Sequence, residues 1–404
     1  MKNILIISAV FPPEPVVSAN LMKDLAEELS KEYNVTVLCP IPTRPLGFNM
    51  EGTRAEMKFP FKVVELDSFT CAESKMVGRL KESNSFGKAA ARYIKANHAD
   101  IDAIHVTAWP LAAKYWISKV AKKYKIPFSN SVQDIYPESL AAHLPKGIIS
   151  NLFNSILLPL DKYGLQKASI IHTISDKMVD YLSQTRKLDR NKFVVVRNWQ
   201  NEEDFIAFHN SKQYDVLSVQ EKPLTFMYMG NVGPLAGLDL VIDAFNDANL
   251  PNARLVIAGA GSAKESLQKK VRDLSIKNVE FWDVPQGKVP EIQDKADIMV
   301  LPIKKGFGKT SIPSKLPAYM FSKRPVLASV DKDSDTAECI INAKAGWVVE
   351  PEDTISLSKV FNVAAKESAE DLIRMGSNGF NFAMKNLSKA TNLKKLTEAV
   401  KSLI

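Results

Sequence analysis

The sequence predicts an α/β protein with two Rossmann-like, doubly wound domains. Short apolar runs alternate with stretches of helical period along most of the 404 residues, which is the pattern of parallel strands joined by helices. A polar stretch without clear period, residues 200–222, interrupts this alternation and predicts a linker at a domain boundary. Beyond it, three glycine-bearing loops each follow an apolar run and precede a helical stretch, an arrangement typical of phosphate-binding domains.

The first domain is predicted to contain the first sheet. Residues 4–8 (ILIIS) form an apolar run typical of a central parallel strand, and residues 18–32 have helical spacing. Residues 148–165 are apolar on one side, which favours a core helix over one that lies on a membrane surface. The other expected strands lie at 34–40, 61–66, 101–106, 127–132, 170–175 and 193–196, and the other helices at 85–97, 112–124 and 177–184.

The second domain is predicted to repeat the same alternation. Its expected strands lie at 224–228, 254–258, 279–282, 298–301, 325–329 and 346–349. Its expected helices lie at 238–246, 264–273, 288–294, 336–343, 355–367, 369–384 and 389–403, with a further helix beginning near residue 314.

The formal net charge of +8 is unevenly distributed. Residues 1–199 hold 27 Lys and Arg against 19 Asp and Glu, whereas residues 200–404 hold 26 of each. Nucleic acid, an anionic membrane surface or an anionic substrate could each bind a basic domain. No nucleic-acid-binding motif occurs, so nucleic acid is the least favoured of the three partners.

Cysteine and hydropathy patterns limit the classes of protein further. The three cysteines are far apart in sequence and form no metal-binding spacing, which favours free thiols in a reducing compartment and predicts no metal site. No run of 18 or more apolar residues occurs, so no membrane-spanning helix is predicted.

A phosphate-binding loop is predicted within residues 306–320. Backbone N–H groups and a helix N-terminus would face the anion there, and lysines would add positive charge. A Walker A motif would need a glycine where Ile303 stands, which disfavours an NTPase. The sequence has no complete dinucleotide fingerprint either. The loop residues are Gly306, Gly308, Lys309, Ser311, Ser314 and Lys315, and the two other glycine loops are Gly230-x-x-Gly233 and Gly259-x-Gly261.

Two acidic residues follow the strand expected at 127–132. Asp134 and Glu138 should lie at the carboxyl edge of the first sheet, where ligands bind in open α/β folds. Either carboxylate could act as a base or contact a substrate. Helix capping and loop structure are the alternative roles, and they remain open for both residues.

Several short motifs, in this order and spacing, carry a resemblance to a known family. The chain resembles a family 4 glycosyltransferase with the GT-B fold, and in particular the bacterial surface-polysaccharide branch that includes N-acetylfucosamine-type transferases. The motifs are Phe11-Pro-Pro-Glu-Pro15, Gln133-Asp-Ile-Tyr-Pro-Glu-Ser139, Val196-Arg-Asn-Trp199, Gly230-Asn-Val-Gly233, Ile312-Pro-Ser-Lys-Leu316 and Asp331-Lys-Asp-Ser-Asp335.

The resemblance implies two domains that face each other across a cleft. Residues 1–199 would bind the acceptor, and the C-terminal helix 386–404 would pack back onto them. Residues 200–385 would bind a nucleotide sugar. The implied reaction moves a hexose or N-acetylamino sugar, with retention of configuration, from a UDP-sugar to a lipid-linked acceptor. The product would be capsule, O-antigen or exopolysaccharide, made in the cytoplasm or peripherally on the inner face of the plasma membrane, without metal or cofactor.

The resemblance also implies roles for individual residues. Asp134, Glu138 and Lys315 would be catalytic. The donor-binding residues would be Pro13, Ser18, Asn198, Gly230, Asn231, Gly233, Gly259, Gly261, Lys309, Ser311, Ser314 and Lys315.

The sequence departs from the family pattern at several of these motifs. Thr310 and Ala318 stand where many relatives have glutamates, and Asn231 stands where many have an arginine. Gln133 replaces a family histidine, for which His105 is either a substitute or a purely structural residue. Thr310, Ala318 and Ala236, which stands where many relatives have a lysine, leave open a non-catalytic subunit that binds sugar nucleotides. A UDP-sugar epimerase on the same fold is a second alternative, which the polysaccharide-branch motifs disfavour.

Overall fold

A computed structural model describes residues 1–43, 53–71, 76–107, 111–141, 148–211, 222–305 and 312–404. The chain divides into two units, residues 1–197 with 392–404, and residues 198–391. Each unit is built on a parallel β-sheet with helices between successive strands. The predicted α/β class, with two Rossmann-like domains, is therefore confirmed.

The first unit contains a sheet in the order β3-β2-β1-β4-β5-β6-β7, paired in parallel throughout its described residues. β1 is an interior strand of this sheet, and its residues Ile4 to Ile7 are apolar and buried on both faces. The elements are β1 (Asn3–Ser8), α1 (Val17–Ser30), β2 (Asn34–Pro40), β3 (Lys62–Leu66), α2 (Met76–Asn97), β4 (Ala103–Thr107), α3 (Ala112–Lys123), β5 (Phe128–Val132), α4 (Glu138–Ala141), α5 (Ile148–Lys167), β6 (Ile170–Thr173), α6 (Asp176–Arg186) and β7 (Phe193–Val195).

The second unit contains a sheet in the order β10-β9-β8-β11-β12-β13, also paired in parallel where it is described. Its central strands β8 and β11 are buried and apolar. The elements are α7 (Glu203–Ser211), β8 (Leu224–Met229), α8 (Leu238–Ala248), β9 (Ala253–Ala258), α9 (Lys264–Asp273), β10 (Val279–Trp282), α10 (Val289–Gln293), β11 (Ile298–Pro302), α11 (Lys315–Phe321), β12 (Val326–Ser329), α12 (Asp335–Ala343), β13 (Gly346–Val349), α13 (Thr354–Ala364), α14 (Ala369–Asn386) and α15 (Lys389–Lys401).

The stretch predicted as a linker, residues 200–222, is structured in its first half. α7 packs onto the second unit through the buried ring of Phe205, whose centroid lies 5.8 Å from that of Phe321. The Glu202 carboxylate accepts hydrogen bonds from the backbone N–H groups of Lys389 and Ala390. The linker prediction was wrong for this segment. A single buried aromatic residue anchors the helix, so the sequence lacks the repeating apolar pattern that would have predicted it.

Helix α15 crosses the division between the two units. Its first residues belong to the second unit, and residues 392–404 belong to the first. Within the first unit, the Asn392 side-chain oxygen accepts a hydrogen bond from the Arg197 backbone N–H. The Lys401 ammonium also pairs with the Glu32 carboxylate at 2.6 Å.

Across the described ranges, no helix is long and apolar enough to cross a membrane. Nor do three or more His, Cys, Asp or Glu side chains of these ranges come together in a way that could hold a metal ion. Cys39, Cys71 and Cys339 are buried and form no disulfide bond with one another.

Candidate functional site

A pocket of about 310 Å³ lies at the carboxyl ends of the strands in the second unit. β8 stands between β9 and β11, where the strand order of the sheet reverses. Such a switch point is where open α/β sheets bind ligands, and the volume lies in the range of ligand pockets. The pocket is lined by Met229, Gly230, Asn231, Gly259, Ala260, Val284, Val289, Gln293, Ser314, Lys315, Ala318 and Tyr319.

Lys315, the first residue of α11, extends across the end of β8. Its path depends on Gly230, because a Cβ at that position would lie 2.2 Å from the Lys315 Cε. Gly230 also has a φ of +152°, a backbone conformation that favours glycine. The Lys315 ammonium then lies 5.7 Å from the centre of the Tyr228 ring, a cation–π contact.

The positive charge of Lys315 has no counter-charge in the part of the chain described here. Burial lowers the pKa of its ammonium below the ordinary value, and none of the described carboxylates pairs with it. A half-buried cation at a pocket wall favours binding of an anion, because an anion would offset the cost of removing the ammonium from water.

Tyr319 connects α11 to the end of β8. Its buried hydroxyl accepts a hydrogen bond from the Met229 backbone N–H at 2.9 Å and donates one to the Met229 carbonyl at 2.8 Å. β8 pairs with β11 only through Phe226 and Met227, so the later backbone groups need another partner. Tyr319 thereby fixes the helix that carries Lys315.

The glycines of the next loop allow two backbone segments to lie almost in contact. A Cβ on Gly259 would lie 2.1 Å from the Gly230 carbonyl oxygen, and one on Gly261 would lie 2.3 Å from the Val232 oxygen. The Val232 N–H donates to the Ala260 carbonyl at 2.8 Å. Both glycine loops therefore form one wall of the pocket.

Gln293 was not identified from the sequence. It is the last residue of α10 and is 2 % exposed, and its side-chain oxygen has no hydrogen-bond partner among the described residues. Val289 precedes it by one helical turn and also lines the pocket. The sequence signal that could have identified Gln293 is its position, a polar residue on the apolar side of a short helix.

The predicted acid Asp134 lies just beyond β5 in the first unit and is accessible to solvent. Surrounding protein raises the pKa of its carboxyl, and the Lys114 charge acts in the opposite direction. Lys114 is buried, which lowers the pKa of its ammonium to about 8, and it donates to the Ser131 carbonyl at 2.6 Å. An accessible carboxylate with a raised pKa suits a base.

The predicted acid Glu138 is held in a different way. Both of its carboxylate oxygens accept hydrogen bonds from the buried Arg186 guanidinium, each at 2.7 Å. Burial acts to raise the pKa of Glu138, but the Arg186 hydrogen bonds and charge lower it below its ordinary value. Arg186 also binds Asp161 at 2.8 Å and the Tyr136 carbonyl. These contacts favour the structural alternative for Glu138 over a catalytic role.

Pro13 and Ser18 lie in the loop after β1 and in the first turn of α1. This loop is held by a buried ionic network. The Glu14 carboxylate accepts hydrogen bonds from the backbone N–H groups of Phe11 and Thr43. The Arg54 guanidinium donates to the carbonyls of Phe11, Pro12 and Pro40.

His105 is fully buried in β4. Its Nδ1 lies 2.8 Å from the Ser129 hydroxyl, and its ring centre lies 5.4 Å from that of His172. Burial lowers the pKa of His105 well below its ordinary value and that of His172 to about 4. Both rings are therefore neutral near pH 7, and the burial of His105 favours a structural role.

The predicted site residues fall into four groups. The pocket itself brings together Gly230, Asn231, Gly259, Ser314 and Lys315. Gly233 and Gly261 belong to the same glycine loops, and Asn198 is the first, half-buried residue of the second unit. Pro13, Ser18, Asp134 and Glu138 belong to the first unit. Gly306, Gly308, Lys309, Thr310 and Ser311 lie outside the described residues.

Both units match known protein families. Residues 19–199 match the family described as "Glycosyl transferase 4-like domain", and residues 210–382 match "Glycosyl transferases group 1". The chain carries both domains of a glycosyltransferase. The family resemblance read from the motifs is confirmed at this level, and the N-acetylfucosamine-type branch stays a prediction.

The individual glycosyltransferases that resemble this chain share little sequence identity with it. "Probable glycosyltransferase WbjE" of Pseudomonas aeruginosa is 21% identical over 285 residues, 68% of either chain. The structure of Anabaena Alr3699/HepE in complex with UDP has a TM-score of 0.70 and 14% identity over 100% of both chains, and a HepE complex with UDP-glucose has a TM-score of 0.63. WaaG, described as a glycosyltransferase involved in lipopolysaccharide biosynthesis, has a TM-score of 0.64 and 14% identity, over 98% of this chain and 99% of WaaG. These similarities confirm the GT-B fold.

Proposed function

We propose that the protein transfers a hexose or N-acetylamino sugar from a UDP-sugar to a lipid-linked acceptor during synthesis of a bacterial surface polysaccharide. Three observations support this reaction: the two glycosyltransferase domains, the pocket at the switch point of the second sheet, and the relatives named for glycosyl transfer and lipopolysaccharide synthesis. HepE, with the same fold, has been solved with UDP-glucose. We expect retention of anomeric configuration and no metal cofactor.

The proposal depends mainly on Lys315, which is half-buried and forms no ion pair with any of the described carboxylates. In the transfer, the bond between the anomeric carbon and the diphosphate oxygen breaks, and the acceptor oxygen bonds to that carbon. Negative charge grows on the departing diphosphate, and a fixed ammonium in a partly desolvated pocket stabilises it. Asp134 is the candidate base for the acceptor proton because its pKa is raised and its side chain is accessible.

The test is a titration with UDP and a transfer assay on Lys315→Met. Loss of one charged hydrogen bond should weaken UDP binding by roughly 10- to 100-fold. Lys264→Met is the matched control, because that lysine is already paired with Asp283 at 2.7 Å. Unchanged UDP affinity in Lys315→Met would refute the role of Lys315 in binding the diphosphate. Binding of UDP without turnover of any UDP-sugar would favour the non-catalytic subunit instead.

We propose further that the first unit works at the cytoplasmic face of the plasma membrane, on anionic lipid. Helices α2, α3 and α5 contain two carboxylates, Glu82 and Asp161, and both are buried. The exposed Lys88 and Lys119 lie 5.6 and 5.4 Å from the Trp116 ring centre. Lysines beside tryptophan are characteristic of surfaces that meet anionic headgroups.

Flotation with vesicles tests this second part. Lys88→Glu with Lys119→Glu should abolish binding to vesicles that contain phosphatidylglycerol, since each lysine near such a surface contributes about 1 kcal/mol. Lys359→Glu with Lys366→Glu makes the same charge change on the second unit and should have little effect. Equal loss in both variants would show that net charge, rather than this surface, governs binding.

A further inference from the structure

The side-chain oxygen of Gln293 is an unused hydrogen-bond acceptor in the pocket wall. The residue is 2 % exposed, and its Oε1 has no partner among the described residues. The neighbouring pocket residues Val284, Val289 and Ala318 present apolar side chains, which offer no donor.

Such an orphaned oxygen needs a physical explanation. A buried acceptor that loses its water without gaining a partner destabilises the fold, and buried polar groups in proteins are almost always satisfied. An apolar residue of similar length, such as methionine, would fit the same helix position without this cost. Because Gln293 lines the pocket, a ligand bound there is the candidate partner of this oxygen.

The chemistry of the group selects its partner. Diphosphate oxygens accept hydrogen bonds and would oppose Oε1, whereas the Lys315 ammonium on the same pocket suits them. A nucleoside offers donors of the required kind, either a ring N–H of the base or a ribose hydroxyl.

We propose that Gln293 holds the nucleoside of the donor, with Oε1 accepting a hydrogen bond from the uracil N–H or from a ribose hydroxyl. This inference rests on the proposed function, because it assumes that the pocket binds a uridine diphosphate. It assigns to Gln293 the recognition of the nucleoside, while Lys315 binds the diphosphate.

The experiment measures calorimetric affinities of Gln293→Met for UDP, 2′-deoxy-UDP and CDP. Loss of one neutral hydrogen bond should weaken UDP binding about 3- to 10-fold. The melting temperature of the ligand-free variant should stay equal or rise, because an unsatisfied oxygen is removed. Glu291→Met on the same helix is the control, since Glu291 pairs with Lys288 and does not line the pocket.

The three ligands separate the two possible donors. If the ribose 2′-hydroxyl is bound, wild type should prefer UDP to 2′-deoxy-UDP, and Gln293→Met should lose that preference. If the base N–H is bound, the variant should instead lose a preference for UDP over CDP. Either result supports the proposal.

Other outcomes overturn it. Unchanged UDP affinity in Gln293→Met, together with weak binding in Lys315→Met, would refute the role of Gln293 and leave the proposed function intact. A lower melting temperature of the ligand-free variant would mean that the oxygen is already satisfied within the protein. Failure of wild type to bind any of the three diphosphates would refute both proposals.

Discussion

Replacing Gly230 by alanine should displace Lys315 without altering the lysine itself. The added Cβ would lie 2.2 Å from the Lys315 Cε and 3.1 Å from its Cδ. Carbon atoms in ordinary contact are at least 3.4 Å apart, so the Cε must move by about 1.2 Å. Because the lysine side chain is flexible, it can shift to another conformation, which moves its ammonium away from Tyr228.

The magnitude of the effect has two separate parts. A displacement of about 1 Å at a catalytic group can cost roughly 100-fold in rate. The φ of +152° at Gly230 is unfavourable for alanine and costs about 1–3 kcal/mol of stability. For a unit of this size that is a fall of roughly 2–10 °C in melting temperature.

The assay must separate displacement from backbone strain. Gly287→Ala provides the control, because Gly287 has a φ of +75° and nothing lies within 4 Å of the point that an alanine Cβ would occupy. Both variants should lose comparable stability, but Gly230→Ala alone should lose UDP affinity. Melting curves and calorimetric titration with UDP measure the two quantities.

A double-mutant cycle gives the result that would refute this reasoning. If Gly230→Ala acts through the lysine, adding it to Lys315→Met should cost little further affinity, so the two effects should be strongly non-additive. Additive losses would show that Gly230 acts on the ligand independently. Wild-type affinity in Gly230→Ala would show that the ammonium position is unimportant.

Three predictions concern the first unit. Because His172 has a pKa near 4 in the folded protein and 6.5 as its ordinary value, and that of His105 is lowered too, the unfolded chain binds more protons below pH 6.5. Stability should be full above that pH and about 2 kcal/mol lower at pH 5 from His172 alone; urea melts with equal midpoints at pH 7 and 5 would contradict this. Glu138→Gln should destabilise the unit by about 3 kcal/mol, because buried Arg186 loses a charged partner. Asp134→Asn should keep stability and lose turnover, and the reverse pattern would show that Glu138 is the base.

The sheets could be predicted from the sequence because their strands are short apolar runs between helical patterns. Residues 4–8 were expected as a strand and form β1, Asn3–Ser8, since both faces of a central parallel strand are buried. The helix expected at 85–97 starts earlier, at Met76. Its first turns alternate charged and apolar residues, so their period is weak.

The site was predictable in its backbone but less so in its side chains. Gly230 and Gly259 were identified because each lies in a glycine-bearing loop between an apolar run and a helical stretch, and both line the pocket. The pairing of Glu138 with Arg186 joins residues 48 positions apart, and no local pattern encodes it. Gln293 was overlooked because the sequence does not show whether a glutamine in a short helix is buried or exposed.

The two hydrogen bonds between Tyr319 and Met229 also constrain how this pocket could adapt to other ligands. One phenol spans the space between α11 and β8, so its length sets the depth of the pocket floor. Phenylalanine there would leave a buried N–H and a buried C=O without partners, a loss that sequence drift would rarely tolerate. New ligand preferences would therefore have to arise at other pocket residues, such as Val284, Val289 and Gln293.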